Sequence, residues 1–100
     1  MNADEKDEIQ SEIIRSLSAY PSLQKIIVFG SFLSALSPND IDLAVVDNSG
    51  KDYMTLAMDY RKLLVNLAGR IPVDLVPLKS LNSEGYMMRE IKKGQVVYER

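Results

Sequence analysis

Apolar positions recur along this chain in two rhythms, and the rhythms alternate. From about Asp4 to Leu17, the residues Ile9, Ile13, Ile14 and Leu17 fall at helical spacing, and the acids before them suit the positive end of a helix dipole. Tyr20-Pro21-Ser22 stops that helix. Lys25 to Phe29 is a β-branched apolar run closed by Gly30 and predicts a buried strand. Ser31 to Leu36 is long enough for one or two helical turns, and Ser37-Pro38-Asn39 signals a turn. Asp40 to Val46 predicts a second strand and Asn48-Ser49-Gly50 another turn. Between Lys51 and Ala68, the residues Tyr53, Leu56, Ala57, Tyr60, Leu63, Leu64, Leu67 and Ala68 repeat at helical spacing, with Gly69 placed to end the helix as its C′ residue. Pro72 to Leu78 predicts a third strand, Ser83 to Lys93 a shorter helix closed by Gly94, and Gln95 to Glu99 a last strand. The order is α-β-(short α)-β-α-β-α-β. It predicts an α/β (α+β) unit spanning 1–100 as one domain, a small mixed β-sheet with helices packed on one side. Tyr53, Tyr60 and the leucines are assigned to its core.

Composition narrows the chemistry. With no cysteine and no histidine among 100 residues, there are no disulfides, no thiolate or imidazole catalysis and no zinc site built on those ligands. Carboxylates, hydroxyls, Lys, Arg and backbone amides remain, and they suit only hard cations such as Mg²⁺ or Mn²⁺. The formal charge is −2, with Asp4, Glu5, Asp7, Glu8 and Glu12 crowded at the start, most simply as a solvated helix face. No basic stripe marks a strong nucleic-acid binder. No signal pattern or membrane-length apolar run is present, so the expectation is a cytoplasmic protein with no membrane partner.

Three acids stand out against this background. Asp40 and Asp42 are two apart on a predicted strand, so both side chains point to one face, with Cα atoms about 7 Å apart at a rise of about 3.3 Å per residue. Ile41, Leu43 and Val45 occupy the other face and fit a core. Like charges on one face repel, and no Lys or Arg adjoins them in sequence; a divalent metal turns that repulsion into chelation. Asp74 interrupts the apolar run Pro72-Val73-Asp74-Leu75-Val76, where an unpaired buried carboxylate costs several kcal/mol. If its strand lies beside the Asp40–Asp42 strand, three carboxylates meet in the ligand set of metal-assisted phosphoryl or nucleotidyl transfer. Gly30-Ser31 follows a buried strand and opens a helical turn, a junction that offers backbone N–H groups and a hydroxyl to a phosphate.

Each feature alone has a plainer reading. Asp-x-Asp can be two solvent-facing acids, Gly-Ser an ordinary turn or helix cap, and Asp74 a charge guarding a sheet edge. Lys25, Arg61 and Arg89 are most simply surface residues, and Met87-Met88 packs at a helix or interface edge. The conjunction of the acids and the Gly-Ser loop is more specific than its parts.

The residues Val28-Phe29-Gly30-Ser31, then Asp40-Ile41-Asp42-Leu43-Ala44-Val45, then Val73-Asp74-Leu75-Val76, and the tail Ile91 to Glu99, resemble the minimal nucleotidyltransferases of the DNA polymerase beta superfamily. The resemblance covers nearly the whole chain. It implies a nucleotidyltransferase-like fold in which Gly30 and Ser31 hold NTP phosphates. Asp40 and Asp42 bind Mg²⁺, and Asp74 completes the metal site and helps to activate the acceptor. It further implies an enzyme that transfers a nucleoside monophosphate, AMP from ATP, to an acceptor, with a helical HEPN-domain toxin as the expected partner. The alternative within the same family is a catalytically weak or silent antitoxin that neutralises its partner by direct binding. The chain departs from the family pattern at Ala35, where a second Gly is usual, and at Asn39, where Ser is usual, and the connecting loop is shorter. These departures bear on the phosphate site more than on the acids.

Overall fold

The structure is a computed structural model that describes residues 1–100. Its elements are α1 (Ala3–Leu17), β1 (Leu23–Phe29), α2 (Ser31–Ser34), β2 (Ile41–Asp47), α3 (Tyr53–Leu63), α4 (Val65–Ala68), β3 (Val73–Leu78), α5 (Tyr86–Lys92) and β4 (Gln95–Glu99). The order matches the sequence pattern, and the differences lie at the boundaries.

Helix α1 begins earlier than the apolar spacing indicates because Asn2 caps it. The Asn2 side chain accepts from the Glu5 N–H at 2.8 Å, and the Glu5 carboxylate reaches back to the Asn2 N–H at 3.5 Å, a reciprocal capping box. The helix expected from Lys51 to Ala68 breaks in two at Leu64, whose backbone (φ −105°, ψ 12°) leaves helical geometry. Asp52 caps the first half by accepting from the Thr55 N–H. Gly69 ends the second half as a right-handed cap (φ −73°) rather than as a left-handed C′ residue. Helix α5 starts at Tyr86, three residues later than expected from Ser83, after a Gly85 with φ 127°.

The four strands form one mixed sheet in the order β3-β2-β1-β4, with β1 antiparallel to β2 and β4, and β3 parallel to β2. Alternation along the strands gives the sheet two different faces. Ile26, Val28, Ile41, Leu43, Val45 and Leu75 point to one, where α1, α3 and α4 cover them with Ile9, Ile13, Leu17, Leu56, Tyr60 and Leu67. The opposite face carries a smaller cluster, Ile27, Phe29 and Ala44, closed by Ile91 of α5. The long helices therefore sit on one side as expected, while the short α5 crosses to the other.

The assignment of Tyr53 to the core is corrected: it lies on the first turn of α3 and is 57% exposed, whereas Tyr60, two turns on, is fully buried. Leu63 and Ala68 are also exposed, because the break at Leu64 rotates the stripe so that Leu64 and Leu67 take the inward positions. Of the methionine pair, Met88 is buried and Met87 is exposed.

Candidate active site

The less covered face of the sheet is where the acids gather. Strands β2 and β3 run parallel with Asp42 opposite Asp74, Ala44 opposite Val76 and Val46 opposite Leu78. Register partners on adjacent parallel strands share a face and lie about 4.8 Å apart across the sheet. Asp42 and Asp74, distant in the chain, are therefore side by side on the face that carries Ala44. Asp40 lies just before β2 rather than on it, since the strand begins at Ile41. The Ile41 N–H donates to the Pro72 carbonyl at 3.0 Å and locks the entry of β2 to the entry of β3.

The charges act on one another. Partial burial pushes the Asp42 carboxyl above its ordinary value, the charges of Asp40 and Asp74 push it further, and a hydrogen bond shared with Asp74 adds to the effect. This is the behaviour of carboxylates crowded without a counter-ion. The three carboxylates do not already converge on one ion-sized point. Carboxylate oxygens are the ligand type of a hard, oxygen-seeking divalent cation.

Gly30 stands at the end of β1, against Asp42. Phe29 pairs with Asp42 across the antiparallel ladder, so the next residue turns directly over the acid. Its backbone (φ 74°, ψ −155°) belongs to the region open to glycine, and a Cβ there would collide with the Asp42 Oδ2. Ser31, exposed, opens the single turn of α2. That turn is anchored from below by the buried Phe32 and from the side by Lys6, whose Nζ donates to the Ala35 carbonyl at 2.7 Å. In the sequence Lys6 is one cation among the acids of α1. Here it crosses to the loop that joins the glycine turn to the Asp pair.

Two further groups were not singled out from sequence. Glu90 and Lys93, at the end of α5, line an open pocket of about 330 Å³ together with Gly30, Leu33, Ser34 and Gly94. The local signal was a Lys-Lys-Gly helix end, which by itself says only that a helix stops. The second group is Asp47, the buried charge at the far end of β2, 1% exposed. It accepts from the Ser22 hydroxyl at 2.6 Å, the Tyr60 hydroxyl at 2.5 Å and the Ser49 N–H at 2.8 Å. Burial works to raise this carboxyl, but the hydrogen bonds from Ser22, Ser49 and Tyr60 outweigh it and its pKa is lowered. The Tyr60 hydroxyl, buried against that charge, is pushed up. Asp-Asn-Ser-Gly was the available signal, because an aspartate bonding the N–H two residues on makes an Asx-turn. The role of Asp47 is structural: it ties the end of β2 to α3 and to the start of β1.

Residues 11–100 match the family described as polymerase beta nucleotidyltransferase. The chain belongs to that family. No curated protein sequence is significantly similar to this chain. Among solved structures it is similar to a complex of a tri-AMPylated HEPN toxin with its MNT antitoxin from Shewanella oneidensis. Identity there is 26%, coverage is 95% of this chain and 73% of that chain, and the TM-score is 0.69. It is also similar to the toxin–antitoxin complex MntA–HepT at 26% identity, covering 94% of this chain and 73% of that one, with a TM-score of 0.65. A toxin–antitoxin structure with AMP-PNP matches at 28% identity over 91% of this chain and 73% of that one, with a TM-score of 0.66. No helix of this chain is long and apolar enough to cross a membrane.

Proposed function

We propose that this chain transfers AMP from ATP to a HEPN-domain protein in a divalent-cation-dependent reaction, with Asp40, Asp42 and Asp74 as its acidic centre and Gly30 and Ser31 as its phosphate-binding turn. The observation that carries the reading is the register of β2 against β3, which sets Asp42 beside Asp74 immediately under Gly30. The nucleotide and the partner are those named for its structural neighbours, which include a HEPN toxin carrying AMP and a complex with an ATP analogue.

The residues have distinct tasks. Asp40, Asp42 and Asp74 would hold the divalent cation, which would supply positive charge to the phosphates and relieve the repulsion among the acids. The backbone N–H groups of the Gly30–Ser31 turn, with the Ser31 hydroxyl, donate to phosphate oxygens and hold the chain of phosphates in line. Asp74 takes the proton from the acceptor hydroxyl. The acceptor oxygen forms a bond to the α-phosphorus as the bond to the bridging oxygen breaks, and pyrophosphate leaves with that electron pair. Fixed dipoles and charges already aimed at the phosphates lower the barrier without reorganising during the step.

The test is direct. The chain, ATP, Mg²⁺ and its cognate HEPN-domain protein are incubated together and the partner's intact mass is followed. The expected result is a gain of one or more adenylyl groups that needs both ATP and Mg²⁺. An unchanged partner, together with no ATP binding by this chain, contradicts the proposal.

A second reading, neutralisation by contact alone, is favoured by the apolar surface the fold leaves open. Leu36, Met54, Val65 and Tyr86 are each well over half exposed. Such surface suits a protein partner whether or not chemistry follows.

A further inference from the structure

The Glu90–Lys93 pair shares an opening with the glycine turn, and the reaction as described gives it no task. Register explains why Lys93 is there. Strand β4 runs antiparallel to β1 with Ile27 opposite Val96 and Val28 opposite Gln95, so continuing the ladder sets Lys93 opposite Gly30. Gly94 makes the approach close. A Cβ at that position would lie 2.5 Å from the Val28 carbonyl oxygen and 2.8 Å from the Phe29 Cβ, so any larger residue would lift the turn off the sheet. The Gly94 N–H donates to the Ile91 carbonyl at 2.9 Å and ends α5 at that point.

Lys93 is the one cationic side chain lining the 330 Å³ pocket that it shares with Gly30 and Ser34. Its Nζ lies 3.7 Å from the Glu90 Oε1, and the two side chains are 74% and 34% exposed. A pair so long and so wet is weakly held. A chain of phosphates offers the ammonium several oxygens at once and displaces one carboxylate. The acids of the site carry the same sign as the phosphates and meet them only through a cation, whereas Lys93 offers positive charge directly.

We propose that Lys93 is the cationic ligand of the nucleotide's terminal phosphates, with Glu90 holding its ammonium in the free protein and yielding it when the polyphosphate enters. The proposal rests on the nucleotidyltransferase reading for the identity of the nucleotide, while the ligand chemistry it requires is that of any linear polyphosphate. Lys92, adjacent in sequence and also exposed, does not line the pocket and serves as the charge-matched control.

Binding of Mg-ATP and of inorganic tripolyphosphate is measured by calorimetry for the wild type, Lys93→Met, Lys92→Met, Glu90→Gln and the Glu90→Gln/Lys93→Met double variant, with unfolding midpoints recorded to establish that each is folded. Lys93→Met is expected to weaken both ligands about tenfold and Lys92→Met less than about twofold. Glu90→Gln is expected to tighten both by about two- to fivefold, and that gain disappears in the double variant because it acts through Lys93. Wild-type affinity in Lys93→Met, or an equal loss in Lys92→Met, overturns the proposal. The two probes separate its failure from that of the wider reading. ATP binding that ignores Lys93 leaves the transferase reading standing and removes this inference. Lys93-dependent binding of tripolyphosphate without binding of ATP does the reverse, and a wild type that binds neither removes both.

Discussion

Asp42→Asn is expected to lower nucleotidyl transfer by at least about a thousandfold while leaving the protein folded and, at neutral pH, slightly more stable than the wild type. The loss of activity follows from position: Asp42 lies beside Asp74, is roofed by Gly30 and feels the charge of Asp40, so its removal disrupts the acid set at its centre. The gain in stability follows from electrostatics. Burial and the charges of Asp40 and Asp74 raise the Asp42 pKa above 3.8, so between that value and the raised one the folded chain holds more protons than the unfolded chain. Stability then falls as pH rises through this window. The amide variant does not suffer the fall, so its advantage is present above the window and fades as the pH drops toward 4. Solvent screening keeps it on the order of 1 kcal/mol or less. Chemical denaturation from pH 3.5 to 7.5, beside a transfer assay, checks both parts. A variant that loses stability at pH 7 would show that Asp42 is a structural group. The same variant separates catalysis from contact: full neutralisation of the partner by Asp42→Asn favours contact, and lost neutralisation with the complex intact favours chemistry.

Asp47→Ala is expected to be a strongly damaging change to the fold, at about 3–5 kcal/mol, because it leaves the buried Tyr60 hydroxyl, the half-buried Ser22 hydroxyl and the Ser49 N–H without their shared acceptor. The hydroxyls of Ser22 and Tyr60 and the Ser49 N–H all point at this carboxylate, and Tyr60 is fully buried with its ring 4.7 Å from that of Tyr20. For a chain of this size that is a fall in Tm of roughly 12–30 °C. Tyr60→Phe loses one of the three bonds and is expected to cost about 1–2 kcal/mol. The Asp47 pKa is lowered, so its contribution is present above the ordinary value of 3.8 and is lost as pH falls through the folded one. Thermal unfolding of both variants at pH 7 gives the ordering, and an Asp47→Ala that melts within a few degrees of the wild type contradicts the account of the network.

The contrast between Asp42 and Asp47 shows what the sequence could and could not reveal. Both are acids on β2, and strand alternation read Asp42 correctly because the residues around it, Ile41 and Leu43, mark the other face. Asp47 sits where the strand meets a turn and its partners come from β1 and α3, so only tertiary contacts disclose that it is buried. The element order was legible because helical and strand rhythms alternate cleanly. The break at Leu64 was not, since Leu63, Leu64 and Leu67 satisfy a continuous helix as well as a broken one. The pairing of Asp74 with Asp42 depends on the two strands being neighbours, and periodicity says nothing about which strands adjoin. Lys93 was hidden for the same reason. Its place beside Gly30 depends on the β1–β4 register and on how closely Gly94 lets the turn approach.

Asp40, Asp42 and Asp74 are expected to act as one cation-binding group next to the Gly30 turn. The most direct measurement is paramagnetic broadening of backbone amide signals on titration with Mn²⁺ in the presence of a non-hydrolysable ATP analogue. The account predicts early loss of signals around residues 30, 40, 42 and 74, suppressed in Asp42→Asn, while those around Asp47 at the far end of the strand persist. Broadening centred on the acidic first turns of α1, or unchanged signals at the three aspartates with the analogue bound, would contradict it.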